Sequence, residues 1–187
     1  MGDFQAFRPF RGLILRAAAI LPPIPLTLRQ QVEALDDPGA VGPRIPLTVF
    51  NPASPPPGMS VSGQQVRITA PGVYSGWDFR PYRVGLMTSG ITLEDFWIAD
   101  SGTFGSSAYP LEGDPAAVGA MVRYGILQGS GRPRRSDNFA LGSPGALLLT
   151  GAADFTLRRC RLFDHPSDAI KVNSDRAIID QNFLDSA

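Results

Sequence analysis

Three segments of this chain share one unusual spacing. Ile91-Thr92-Leu93-Glu94-Asp95-Phe96-Trp97-Ile98, Phe155-Thr156-Leu157-Arg158-Arg159-Cys160-Arg161-Leu162 and Ala177-Ile178-Ile179-Asp180-Gln181-Asn182-Phe183-Leu184 all place inward candidates at i, i+2, i+5 and i+7. Two short strands of period two account for the pairs i, i+2 and i+5, i+7, and the extra residue between them is a tight bend. An amphipathic helix would read i, i+3, i+4, i+7, and a two-residue hairpin would want Asn-Gly or Gly at its turn. A bend without a turn dipeptide, repeated along the chain, suits stacked coils of a parallel β-solenoid.

The spacing between copies agrees. Phe155 and Ala177 are 22 residues apart, enough for three short strands and their turns. A strand precedes each copy, at Val84–Met87, Ala146–Leu149 and Ala169–Val172, and a small polar turn follows it. Ile91 to Phe155 is 64 residues, roughly three such repeats, but only fragments such as Val118–Val122 and Tyr124–Leu127 keep the pattern between them. In the third copy Asn182 falls where Phe96 and Cys160 fall. An inward Asn at a bend survives by hydrogen-bonding the bend's own backbone.

Composition narrows the class. With 20 Gly and 18 Pro among 187 residues, the chain has many turns between short strands and is no helical bundle. Its 17 basic and 17 acidic residues cancel, so no global field points to nucleic acid or an anionic membrane. Cys160 is the only cysteine. Its place in the second copy makes it a buried small hydrophobe, not a reactive thiol.

The first 60 residues read differently. Phe4, Phe7, Phe10, Leu13 and Leu15, with Arg8 and Arg11 between, form an extended apolar arm that wants a partner surface. The run Gly12–Leu21 is interrupted by Arg16 and too short for the ~20 residues of a membrane span. Leu28–Leu35 is the one short helix, with Thr27 as N-cap. Residues 38–60 are a Pro-rich connector that resists both helix and central strand. The expected organisation is therefore 1–60 for anchoring and 61–187 for the β domain. Residues 101–144, loop-rich and carrying Arg132-Pro133-Arg134-Arg135, are expected to protrude as an insertion. The last copy is followed by no polar capping coil, so its end is expected either to continue or to stack on another chain.

From Val66 onward the chain resembles the pectin-lyase-like right-handed parallel β-helix. The residues that carry the likeness are Ser89-Gly90-Ile91-Thr92-Leu93-Glu94-Asp95-Phe96, the run Ala153–Asp164, and Ser167-Asp168-Ala169-Ile170-Lys171-Val172. The resemblance implies an all-β solenoid preceded by the Pro-rich arm and its short helix. Within that group the chain is similar both to spikes and fibres of phages and phage-like particles and to secreted polysaccharide lyases and hydrolases. One fold carries both.

The spike reading has residues 1–60 engage capsid or tail proteins while the solenoid meets cell-surface polysaccharide, on a particle surface and with a homo-oligomer among its assemblies. The enzyme reading places the chain outside the cell. A lyase must neutralise a uronate carboxylate and remove the neighbouring proton. Lys171, Asp168, Asp164 and His165 are its candidates, with Asp175 beside them and Ca²⁺ as the cation their carboxylates suit. A hydrolase needs opposed carboxylates; Asp95, Asp154, Asp164, Asp180 and Asp185 offer pairs. Arg132, Arg134 and Arg135 suit phosphate or acidic sugars, and Trp77 suits stacking on a sugar ring. No other cofactor is implied. The lack of a defensible catalytic set favours the spike.

Overall fold

In the computed structural model, the described residues are 41–100, 109–130, 147–165 and 169–185. They contain only strands and connections. The strands are β1 (Thr48–Val49), β2 (Met59–Ser62), β3 (Gln65–Ile68), β4 (Gly72–Asp78), β5 (Arg83–Leu86), β6 (Ile91–Ala99), β7 (Leu111–Gly113), β8 (Met121–Gln128), β9 (Leu147–Thr150), β10 (Thr156–Arg158), β11 (Arg161–Phe163), β12 (Ile170–Asn173), β13 (Ile178–Asp180) and β14 (Phe183–Asp185). From β3 onward the chain alternates between two sheets. Sheet A runs β1-β4-β6-β8-β10-β13, with β11 and β14 continuing its last two members, and sheet B runs β12-β9-β7-β5-β3-β2. All pairings are parallel except β2–β3, a hairpin whose two-residue loop contains Gly63 at positive φ.

The spacing read from the sequence describes sheet A. Leu93 pairs in register with Val122, Val122 with Leu157 and Leu157 with Ile179; Ile98 is likewise followed by Leu127, Leu162 and Leu184. These rows face Val66, Ile68, Val84, Leu86, Leu111, Leu147 and Leu149 of sheet B in one core. Burial fades in the last copy, where Ile179 and Leu184 are 38% and 56% exposed against 1% or less for Leu157 and Leu162.

The bend residue itself sits at positive φ. Gly76, Asp95, Tyr124, Arg159 and Gln181 all adopt φ between 50° and 80° at the same place in successive strands. Four of the five are not glycine, and each accepts a strained conformation that costs on the order of 1 kcal/mol. A second positive-φ position precedes each copy, at Gly90, Gly119, Asp154 and Arg176.

Three expectations change. Residues 101–144 are not simply an insertion, because β7 and β8 belong to the two sheets and Val122 and Leu127 are fully buried. Between β6 and β10 sheet A contains one strand, not several, since successive copies are separated by 29, 35 and 22 residues. Asn182, in turn, bonds the neighbouring bend and not its own: its Oδ1 accepts from Cys160 N at 2.9 Å and its Nδ2 donates to Leu157 O at 3.0 Å.

Part of the Pro-rich connector packs on the sheets. Gly42 N donates to Arg159 O, Arg44 reaches Asp95, β1 pairs with Trp77 and Asp78, and Phe50 N donates to Asp78 O. The segment thus crosses the bends of four strands, from Arg159 back to Gly76. Both short strands of the connector, β1 and β2, lie at sheet edges, where proline neighbours remove no ladder bond. The arm residues Phe4, Phe7, Phe10, Leu13 and Leu15 and the helix expected at Leu28–Leu35 lie outside the described residues.

Candidate functional site

The outer face of sheet B holds a concavity. Alternate side chains of a strand leave on opposite faces, so Val66, Val84, Leu111 and Leu147 turn inward while Arg67, Gly85, Glu112, Leu148 and Lys171 form one in-register row outside. Five strands at ~4.8 Å spacing make that row roughly 19 Å long. At Gly85 the row has no side chain of its own, and the Gln65 and Met87 side chains pack over it. A groove of about 300 Å³ lies beside them, bounded by Gln65, Met87, Glu112, Asp114, Leu148 and Thr150. Glu112 is held in place by Arg83 Nη1 at 2.9 Å and Gln65 Nε2 at 3.3 Å. The groove itself is lined by polar and acidic groups beside Met87 and Leu148, and the row it lies along ends in Arg67 and Lys171.

The described residues among those singled out for a lyase lie on or after strands of different sheets. Lys171, the chain's only lysine, is exposed on sheet B. Asp164 and His165 follow β11 in sheet A. Asp164 Oδ2 accepts from Gln128 Nε2 at 3.2 Å, and His165 Nε2 lies 3.0 Å from Leu127 O. Burial pushes the His165 imidazole below its ordinary pKa, against the opposing pull of the Leu127 carbonyl, Asp164 and Asp100. Asp168 lies outside the described residues, as do Arg132, Arg134 and Arg135. Trp77 is half-buried, its ring edge-on to Phe50 at 6.3 Å, and it packs against the core.

Of the carboxylates considered for hydrolysis, Asp95, Asp154, Asp164 and Asp180 are engaged by cations or amides; the Asp185 side chain lies outside what is described. Asp95 is 1% exposed and its two oxygens accept from Arg44 N, Nε and Nη2 at 2.7–3.0 Å and from Ser75 Oγ at 3.3 Å. Burial alone would raise its pKa, but the Arg44 bonds, with help from Ser75, hold it below the ordinary value. Arg176 pairs with Asp154 and Arg158 with Asp180. The Arg176 bond holds Asp154 below its ordinary pKa, as Arg44 does Asp95, and such a carboxylate is a poor general acid. Cys160 is fully buried, and burial pushes its thiol up to about 12, so it stays a protonated thiol, as its position suggested.

Among the described residues no group of three or more His, Cys, Asp or Glu side chains is arranged to hold a metal ion, and there is no helix long and apolar enough to cross a membrane. The groove residues Gln65, Glu112 and Asp114 were missed in the sequence. No local signal in the sequence marks them, since they meet only through the pairing of β3, β5 and β7. No family model matches the chain, and the comparisons with curated proteins and with solved structures return no match.

Proposed function

We propose that this chain is a right-handed parallel β-helix that serves as a structural, adhesive rod of a phage or phage-like particle and contacts an extended cell-surface polysaccharide. The observation that carries the reading is the row Arg67–Gly85–Glu112–Leu148–Lys171. It is a straight, in-register strip whose groove suits a polymer lying across strands, with basic ends that favour an acidic one. Strict alternation of parallel strands between two sheets supports the helical winding, and the general handedness of parallel crossovers supports its sense. Residues 1–60 supply the anchor in this account, with the arm from Phe4 to Leu15 meeting the particle.

A polysaccharide lyase is the second reading, favoured by one observation: Lys171 lies on the same face and in the same row as the groove. To act there it needs a base beside the bound sugar, and Asp164 and His165 follow a sheet A strand instead. Incubating the purified chain with uronate-containing and neutral polysaccharides, with and without Ca²⁺, separates the two. The spike reading expects binding with no new ultraviolet-absorbing double bonds and no new reducing ends. Turnover that disappears in Lys171→Ala or Asp168→Asn overturns it in favour of the enzyme.

A further inference from the structure

His165 sits where the chain turns away from β11, and the turn is fixed to the end of β8 by three contacts. Gly129 N donates to Phe163 O at 2.8 Å, Gln128 Nε2 to Asp164 Oδ2 at 3.2 Å, and His165 Nε2 meets Leu127 O at 3.0 Å. The fit leaves no spare room. A Cβ on Gly129 would lie 2.1 Å from the Asp164 carbonyl oxygen and 2.8 Å from His165 Nδ1. Nδ1 is buried and has no hydrogen-bond partner, and the nearby Ser130 Oγ is in the same condition.

We propose that His165 is an acid-sensitive latch: neutral, it pins the Asp164–His165 turn to the end of β8, and protonated, it releases that turn. The neutral ring satisfies the contact by donating from Nε2 to the Leu127 carbonyl, which leaves Nδ1 as a buried lone pair. A second proton turns Nδ1 into a donor facing the Gly129 backbone, and a buried charge without a paired acceptor is costly. Among the described residues the charged groups that face the ring are Asp164 from its own segment and Asp100 just after β6; β8 and the two residues after it contribute Leu127, Gln128, Gly129 and Ser130. The two carboxylates soften the penalty, and burial outweighs them.

The sign follows from linkage. A histidine whose folded pKa lies below its unfolded value of about 6.5 binds more protons when released. The latch is therefore fully closed above that value and weakens as pH falls from there towards the folded pKa. The inference is independent of what the outer face of sheet B binds.

Because His165 is the only histidine, its ring resonances are unambiguous in an NMR titration of the full chain. The latch requires a ring pKa below about 6.5. It also requires the Gly129 amide, corrected for intrinsic exchange, to lose protection relative to the Leu157 amide between pH 7 and pH 5. The loss is on the order of tenfold for each unit by which burial holds the pKa down. His165→Gln keeps a side-chain donor for Leu127 O but cannot titrate, so its Gly129 protection should be flat over that range. A ring that titrates at or above 6.5, wild-type protection that does not change, or an unchanged pH dependence in His165→Gln each overturns the proposal. If His165→Gln does not fold, the two wild-type measurements decide the matter.

Discussion

Gly125 offers a sharp test of how neighbouring strands of sheet A pack their inward side chains. It occupies the i+5 position of β8, in register with Phe96, and where the next strands carry Cys160 and Asn182. The Phe96 ring fills the space that a side chain at 125 would take: an added Cβ would sit 2.0, 2.2 and 2.5 Å from three ring atoms. Carbon atoms in contact prefer ~3.5 Å, so the ring would have to retreat by roughly 1.5 Å. It is fully buried and flanked on its other side by Trp77 of β4, which leaves it little freedom.

Overpacking of this kind costs about 1–3 kcal/mol, and a clash this short belongs at the upper end. Removing a glycine from the unfolded ensemble gives back about 0.4–1 kcal/mol. The net for Gly125→Ala is a loss of about 2 kcal/mol, or a Tm lower by roughly 4–8 °C for a chain of this size. Urea unfolding with a double-mutant cycle makes the test specific. Phe96→Ala alone should cost about 3–5 kcal/mol. With the ring gone, Gly125→Ala should cost nothing further, so the cycle should show a coupling of about 2 kcal/mol. A Gly125→Ala stability equal to wild type, or additive effects in the double variant, refutes the packing described here.

Three further outcomes are expected. Leu157→Ala should cost ~2–5 kcal/mol by thermal or urea melt, because Leu157 is fully buried between Val122 and Ile179 and the cavity cannot collapse freely. Asn182→Ala should cost ~1–2 kcal/mol by the same measurement, since it strips the partners from Cys160 N and Leu157 O at a half-buried site. Asp95 and Asp78 both have folded pKa values below their ordinary ones, Asp95 despite its burial and Asp78 through its Arg80 bond. The stability they contribute is complete above about pH 4 and lost as pH falls through the folded values. An acid titration of stability should therefore drop more steeply in wild type than in Asp95→Asn.

The spacing i, i+2, i+5, i+7 was legible because Ile91, Leu93, Phe96 and Ile98 leave no doubt about which residues turn inward, and Phe155 to Leu162 repeat it. The same pattern in β8 was hidden. There it reads Ala120, Val122, Gly125, Leu127, with the glycine needed by Phe96 standing where an apolar marker would have revealed the strand. In β7 three residues, Leu111-Glu112-Gly113, are too few to carry a period. The Arg44–Asp95 contact joins positions 51 apart, and nothing local in the sequence announces such a pairing. The groove was equally invisible, since Gly85, Glu112 and Leu148 become neighbours only through the strand register. The bend was foreseen as a shape, but not that Asp95, Tyr124, Arg159 and Gln181 would hold it at positive φ.

The most direct test of the account is equilibrium binding of the full chain to a panel of acidic and neutral polysaccharides, with one charge reversal on each outer face. Lys171→Glu alters the exposed end of the sheet B row, whereas Thr92→Glu adds a negative charge on the outer face of sheet A. The account predicts that wild type binds an acidic polysaccharide and that binding weakens with salt as charge contacts are screened. It also predicts that Lys171→Glu loses on the order of tenfold in affinity, or about 1.4 kcal/mol, while Thr92→Glu binds as wild type does. Failure of wild type to bind any member of the panel, or equal affinity in Lys171→Glu and wild type, contradicts it.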